Sequence, residues 1–131
     1  MTKNKVLIFE DSKPHIALLR RVLADEPRIE TFFCEKIEDP EDPVFIDLLK
    51  RADQFDAIVW DADMWVENRS IFTYNGFIQA FAKVTTKGQP MIANSRDGEH
   101  RVKQMEAGCT HKTKEKDAQV LLDLLRKVLG L

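Results

Sequence analysis

Short apolar runs that alternate with helical patterns are the feature that most narrows what this chain can fold into. Val6-Leu7-Ile8-Phe9 reads as a buried strand, Ile29 to Cys34 as a second, Ala57-Ile58-Val59-Trp60 as a third and Pro90-Met91-Ile92-Ala93 as a fourth. Cys109 to Thr113 is read as a fifth, although Thr-His-Lys-Thr is a poor apolar run. Between them lie segments with apolar residues at helical spacing. Ser12 caps the first helix, Pro14 lies in its first turn, and Ile16, Leu19 and Leu23 form its stripe. Asp42 and Pro43 open a second helix whose buried face is read as Val44, Leu48 and Leu49. Asn75 is read as the cap of a third, carrying Phe77, Ile78 and Phe81. Asp97 to Ala107 is a polar fourth helix stopped by Gly108. Asp117 caps a fifth with Val120, Leu121, Leu124, Leu125 and Val128 on its stripe. Five strands alternating with five helices predict an α/β fold: one parallel sheet with helices on both faces.

Composition excludes several classes. The 131 residues suit one domain, 1–131, with a core that needs no disulfide or structural metal. No apolar run approaches the ~18 residues of a membrane span, and the start is too short in apolar length for a signal peptide. The two cysteines, Cys34 and Cys109, have no CxxC spacing, so a reduced, cytoplasmic chain is expected. The net charge of −2 argues against bulk nucleic-acid binding. That charge is divided: residues 1–67 hold sixteen acids against nine Lys/Arg, and residues 68–131 hold six against eleven. A basic C-terminal half can mark a partner-binding side.

In open parallel sheets, sites form at the carboxyl ends of strands. Glu10 and Asp11 follow the first strand, Asp61 and Asp63 the third, and Ser95 the fourth. Lys112, Lys114 and Lys116 follow the fifth. Carboxylates gathered there repel one another, by roughly 4 kcal/mol for two charges ~4 Å apart at an effective dielectric near 20. Such a group needs a cation or an ammonium, and hard oxygen ligands suit Mg²⁺. A hydroxyl and an ammonium nearby can bind phosphoryl oxygens.

Taken in order, these residues resemble the receiver domain of two-component response regulators. Val6 to Ser12 looks like its first strand and acidic pair. Asp61-Ala62-Asp63-Met64 is similar to its phospho-acceptor motif, with Trp65 where proline is usual. Asn75-Gly76-Phe77 resembles its Asp-Gly step, Pro90 to Ser95 its fourth strand with the terminal hydroxyl residue, and Glu106-Ala107-Gly108-Cys109 its Glu-Ala-Gly-Ala step. The resemblance covers essentially the whole chain. It implies a flavodoxin-like, doubly wound sheet of order 2-1-3-4-5. It implies a stand-alone receiver domain that takes a phosphoryl group on Asp61 from a histidine kinase or phosphotransfer protein. Such a domain is not a turnover enzyme; transfer and loss of the group are at most self-catalysed. Glu10, Asp11 and Asp61, with the backbone carbonyl of Asp63, would hold Mg²⁺, and Ser95 would bond the phosphoryl group. Signalling would proceed by docking on a downstream protein, with no attached output domain and no direct contact with nucleic acid or membrane.

The family's lysine lies seven residues after the glycine, which here is Glu115. Lys114 is one short and Lys116 one long, and the spacing from Lys114 to the last helix assigns the role to Lys114. The family's aromatic switch position falls on His111 or Lys112. The family's docking face carries Arg96, Arg101, Lys103, Lys112, Lys114 and Lys116, which implies an acidic partner. Two other readings stay open. One is a pseudo-receiver that binds partners without phosphorylation. The other is a Toprim-like Mg²⁺-dependent enzyme, whose pattern wants glycine after the glutamate where this chain has Asp11.

Overall fold

The computed structural model describes residues 3–35, 37, 41–61 and 71–131, with side chains of the third helix from Asn75 onward. Its elements in chain order are β1 (Asn4–Phe9), α1 (Lys13–Leu23), β2 (Ile29–Cys34), α2 (Pro43–Lys50) and β3 (Ala57–Trp60). They continue with α3 (Ile71–Val84), β4 (Met91–Ala93), α4 (Gly98–Ala107), β5 (His111–Lys112) and α5 (Ala118–Leu129). A single 3₁₀ turn, Ala52–Gln54, leads into β3. All strand pairs are parallel and the sheet order is β2-β1-β3-β4-β5, as the resemblance implied.

Period-two alternation sorts the strand residues into two cores. Val6, Ile8, Ala57, Val59 and Ile92 pack with Leu19 and Leu23 of α1 and Leu121, Leu122 and Leu125 of α5. Leu7, Phe9, Ile58, Trp60, Met91 and Ala93 pack with Phe45 and Leu48 of α2, Phe77, Ile78 and Phe81 of α3 and Ala107 of α4. Both faces are covered, which is why β1 and β3 read as unbroken apolar runs.

The helix starts follow their caps. Ser12 Oγ accepts from His15 N, Asp42 Oδ1 from Val44 N, and Asp117 Oδ1 from Gln119 N and Val120 N. Four expectations change. The helix α3 starts at Ile71, so Asn75 lies inside it and is not its cap. In α2, Val44 is 54% exposed and Phe45 takes the buried place. In α5, Leu122 and Ala118 are buried while Val120 is only half-buried. The strand β5 is two residues long, and both are exposed. The expectations for Asp63, Met64 and Trp65, and for the acidic stretch Glu38 to Pro40, lie outside the described residues.

Gly108 ends α4 at φ +139°, and a Cβ there would lie 2.9 Å from Ala82 Cβ of α3. A side chain at this position would both strain the backbone and push α4 off α3.

One buried acid ties α1, β2 and α5 together. Glu26 accepts from Arg28 Nε and Nη2, each at 2.8 Å, and from Arg126 Nε of α5 at 3.1 Å. The Arg28 bonds, then Arg126, hold its carboxyl down from 4.5 to about 2. A depressed pKa means stabilisation that is complete above the unfolded value and is lost as pH falls. The melting temperature of wild type is therefore expected to drop between pH 4.5 and about 2. Glu26→Gln should melt below wild type at pH 7, and the gap should close toward pH 2. A gap independent of pH in thermal melts would refute this account.

Candidate functional site

The site sits where β1 and β3 end. Phe9 and Trp60 are register partners whose rings stack at 4.2 Å with planes 6° apart, and Phe81 closes on both edge-on. The next residue of each strand is a carboxylate, so this stack sets Glu10 and Asp61 side by side. The backbone N–H of Glu10 still bonds Cys34 O of β2 at 3.1 Å, extending the ladder one step. Glu10 and Asp61 are each 1% exposed, whereas Asp11 is exposed. Carboxylate oxygens of Glu10, Asp11 and Asp61 lie within 4.8 Å of one another. The sequence placed these three acids together, and the structure does so.

Their counter-charge is Lys116, not Lys114. Lys116 Nζ contacts Asp61 Oδ2 and lies 3.1 Å from Glu10 Oε1 and 3.2 Å from Oε2. Its side chain is only 7% exposed. Lys114 is exposed, and what it contributes inward is its backbone carbonyl. The reason lies in the loop that follows β5. Thr113 is fixed to β4 through its N–H to Ala93 O at 3.0 Å and its hydroxyl to Asn94 Oδ1 at 2.9 Å. Asp117 is fixed as the α5 cap, with its own N–H on Glu115 O at 3.1 Å. Between these two anchors the turn aims Lys116 at the acids. Buried charges persist in proteins when they are paired in this way.

Ser95 is fully buried one residue past Asn94, whose N–H bonds Trp60 O at 2.9 Å. Ser95 Oγ accepts from Asp97 N at 3.3 Å, which leaves its hydroxyl proton to donate. The helix cap itself is Asp97.

Three further residues lie at the site where the sequence did not place them, one of them, Arg101, expected instead on the docking face. Gln104, buried on α4, donates from Nε2 to Trp60 O at 3.3 Å, beside the Asn94 bond. Arg101 of α4 reaches three carbonyls: Ser95 O at 2.6 Å, Arg96 O at 3.1 Å and Lys114 O at 3.3 Å. His15, in the first turn of α1, is held below the usual imidazole range by burial and by the positive charges of Lys116 and Arg96. It is therefore neutral at pH 7 and adds no positive charge to the site. Six basic residues were expected on one face. Lys116 turns inward and Arg101 is committed to carbonyls; Arg96, Lys103, Lys112 and Lys114 remain exposed. At the aromatic switch position neither candidate is a Phe, Tyr or Trp, and His111 and Lys112 are both exposed on β5. Among the described residues no helix is long and apolar enough to cross a membrane.

No protein-family model and no curated protein sequence matches the chain. Solved structures do. A CheY-like response regulator receiver domain protein from Methanospirillum hungatei aligns over 98% of this chain and 95% of its own, with a TM-score of 0.70 at 15% identity. A signal receiver domain of a two-component histidine kinase from Clostridium thermocellum covers 98% of both chains with a TM-score of 0.74 at 14% identity. The receiver domain of a sensor histidine kinase from Pseudomonas aeruginosa, solved with a magnesium ion coordinated in the active site cleft, covers 99% of this chain and all of its own. Its TM-score is 0.64 at 17% identity. The chain has the fold of response regulator receiver domains.

Proposed function

We propose that residues 1–131 act as a receiver domain in which Asp61 accepts a phosphoryl group from a histidine kinase or phosphotransfer protein. The receiver fold supports a response-regulator-type function in general. The observation that carries the finer reading is the placement of Asp61. Its carboxylate is buried at the end of a central strand, against the Lys116 ammonium, with Glu10 and Asp11 beside it.

The donor set fits Mg²⁺. Three carboxylates less one ammonium leave a charge of −2 to balance. Their oxygens are hard donors, and Asp11 opens the cluster to solvent. Glu10, Asp11 and Asp61 would hold the ion, with the carbonyl of Asp63 as the fourth ligand that the resemblance implies. Bound there, Mg²⁺ would neutralise part of the charge on the incoming phosphoryl group. In the reaction an Asp61 oxygen forms a bond to phosphorus while the bond from phosphorus to the donor breaks. The donor atom is a histidine nitrogen of a kinase or an acyl oxygen of acetyl phosphate, and it leaves with the electron pair. Lys116 and the Ser95 hydroxyl hold phosphoryl oxygens. The domain is modified once and does not turn over a substrate, so it is read as a signalling domain in the cytoplasm. It passes the signal to a downstream protein partner.

The test is intact mass after exposure to acetyl phosphate with Mg²⁺. Wild type should gain one phosphoryl mass, Asp61→Asn none, and Asp11→Ala or removal of Mg²⁺ should slow the gain. Mass gained equally by Asp61→Asn moves the acceptor elsewhere. The second reading, a pseudo-receiver that docks partners unmodified, is favoured by one observation: His111 and Lys112 are exposed and supply no aromatic switch. It predicts no mass gain in wild type.

A further inference from the structure

The two loops that bring Ser95 and Lys116 to Asp61 come from different strands, β4 and β5, and those strands share only a short ladder. Its register pairs are Ile92 with His111 and Ala93 with Lys112. Beyond the last pair Thr113 still bonds Ala93 O and Asn94 Oδ1, and the loops then lead to different helices. One runs from Asn94 to the Asp97 cap of α4, and the other from Thr113 to the Asp117 cap of α5. At their roots the Thr113 hydroxyl donates to Asn94 Oδ1 at 2.9 Å, and farther out a second side chain spans them. Arg101, one turn into α4, donates from Nη1 to Ser95 O at 2.6 Å and Arg96 O at 3.1 Å, and from Nη2 to Lys114 O at 3.3 Å. The bonded carbonyls belong to Ser95 itself, to Arg96 next to it and to the residue two before Lys116.

A guanidinium is planar, permanently charged and presents its donors in a fixed fork. Bound at both prongs, it sets the distance between the two loops. It also adds α4 as a third body, since Arg101 is carried by that helix. A lysine in its place has one compact ammonium and no fork. With no Phe, Tyr or Trp on β5, the guanidinium is the side-chain link that reaches the Ser95 and Lys114 carbonyls, beyond the Thr113–Asn94 bond at the loop roots.

We infer that Arg101 is a positioning residue that locks the Ser95 loop to the Lys116 loop, and so sets the phosphoryl-binding geometry around Asp61. The inference rests on the reading of Asp61 as the acceptor. It has a directional consequence. If the Ser95 hydroxyl moves toward a phosphoryl group, its carbonyl moves with it, and Arg101 passes that motion to α4 and to the β5–α5 loop.

The experiment follows phosphorylation of wild type, Arg101→Ala and Arg101→Lys by acetyl phosphate and Mg²⁺ in an intact-mass time course. It is run at a temperature where circular dichroism shows each variant folded. Displaced loops cost transfer rate, so Arg101→Ala should be slower by about tenfold. Arg101→Lys should recover only part of the rate, because it cannot bond both loops. Guanidinium chloride at a low, non-denaturing concentration should restore part of the rate in Arg101→Ala and do nothing for wild type. A merely structural role would not produce that rescue. Wild type that is modified, with Arg101→Ala equally fast, overturns this inference alone. A slow Arg101→Ala that Arg101→Lys fully repairs, or that guanidinium leaves unchanged, also overturns it. Wild type that gains no phosphoryl mass overturns the Asp61 reading, and this inference with it.

Discussion

Lys116→Ala is expected to lose both stability and phosphoryl transfer, while Lys114→Ala keeps both near wild type. Lys116 Nζ is the ammonium in contact with Asp61 and Glu10, and all three side chains are nearly inaccessible to water. Removing one partner of a buried pair leaves uncompensated charge, which costs about 3–5 kcal/mol. Here two carboxylates would be left facing each other. The transfer rate should fall by about a hundredfold or more, in line with the loss of one preorganised donor to developing charge. Mg²⁺ supplies another way to offset the carboxylates, so it should raise the melting temperature of Lys116→Ala more than that of wild type. Lys114→Ala removes only an exposed side chain and keeps the carbonyl that Arg101 uses. Chemical denaturation and the acetyl phosphate time course on the two variants check this. The reverse ranking would return the role to Lys114.

The lysine shows where sequence reasoning stops. Strands β2 and β3 match their expected bounds because apolar runs flanked by breakers leave little freedom in register. The caps Ser12, Asp42 and Asp117 were legible because a short polar side chain before a helix has one main use. The acids Glu10, Asp11 and Asp61 were legible because parallel topology alone brings those strand ends together. A loop has no such period. Counting forward from Gly108 lands on Glu115, and spacing to the last helix favours Lys114, whereas the structure turns Lys116 inward, one residue before the Asp117 cap. The start of α3 was missed for a different reason. Ile71-Phe72-Thr73-Tyr74 are β-branched or aromatic, with weak helix propensity, so Asn75 looked like the boundary. In α2, Val44 and Phe45 are both compatible in spacing with Leu48, and periodicity over eight residues cannot choose between them. Gln104 carries no pattern, since its partner is the Trp60 carbonyl on a distant strand, and Arg101 reads in the sequence only as one charge of a basic face.

The second large effect is expected at Trp60. Its ring is fully buried, stacked on Phe9 and edge-on to Phe81, and its carbonyl accepts from both Asn94 N and Gln104 Nε2. Trp60→Ala should destabilise the domain by about 3–5 kcal/mol, because the removed ring leaves a cavity that close-packed neighbours fill only in part. The bonds that the Trp60 carbonyl accepts from Asn94 N and Gln104 Nε2 do not involve its ring, so the loss is one of packing. The functional consequence follows from the next residue along each strand. The Phe9–Trp60 stack is the last layer of core beneath Glu10 and Asp61, and loosening it loosens the spacing of the two carboxylates. Trp60→Phe keeps an aromatic ring against Phe9 and should cost less stability. Both variants should need more Mg²⁺ than wild type to reach half-maximal phosphorylation rate, with Trp60→Ala affected more. Denaturant melts give the stability, and the acetyl phosphate time course across a Mg²⁺ series gives the metal dependence. A Trp60→Ala protein that is destabilised as expected yet shows an unchanged Mg²⁺ dependence would separate the core from the site. In that case Lys116 and the loops, rather than the aromatic stack, hold the carboxylates in place.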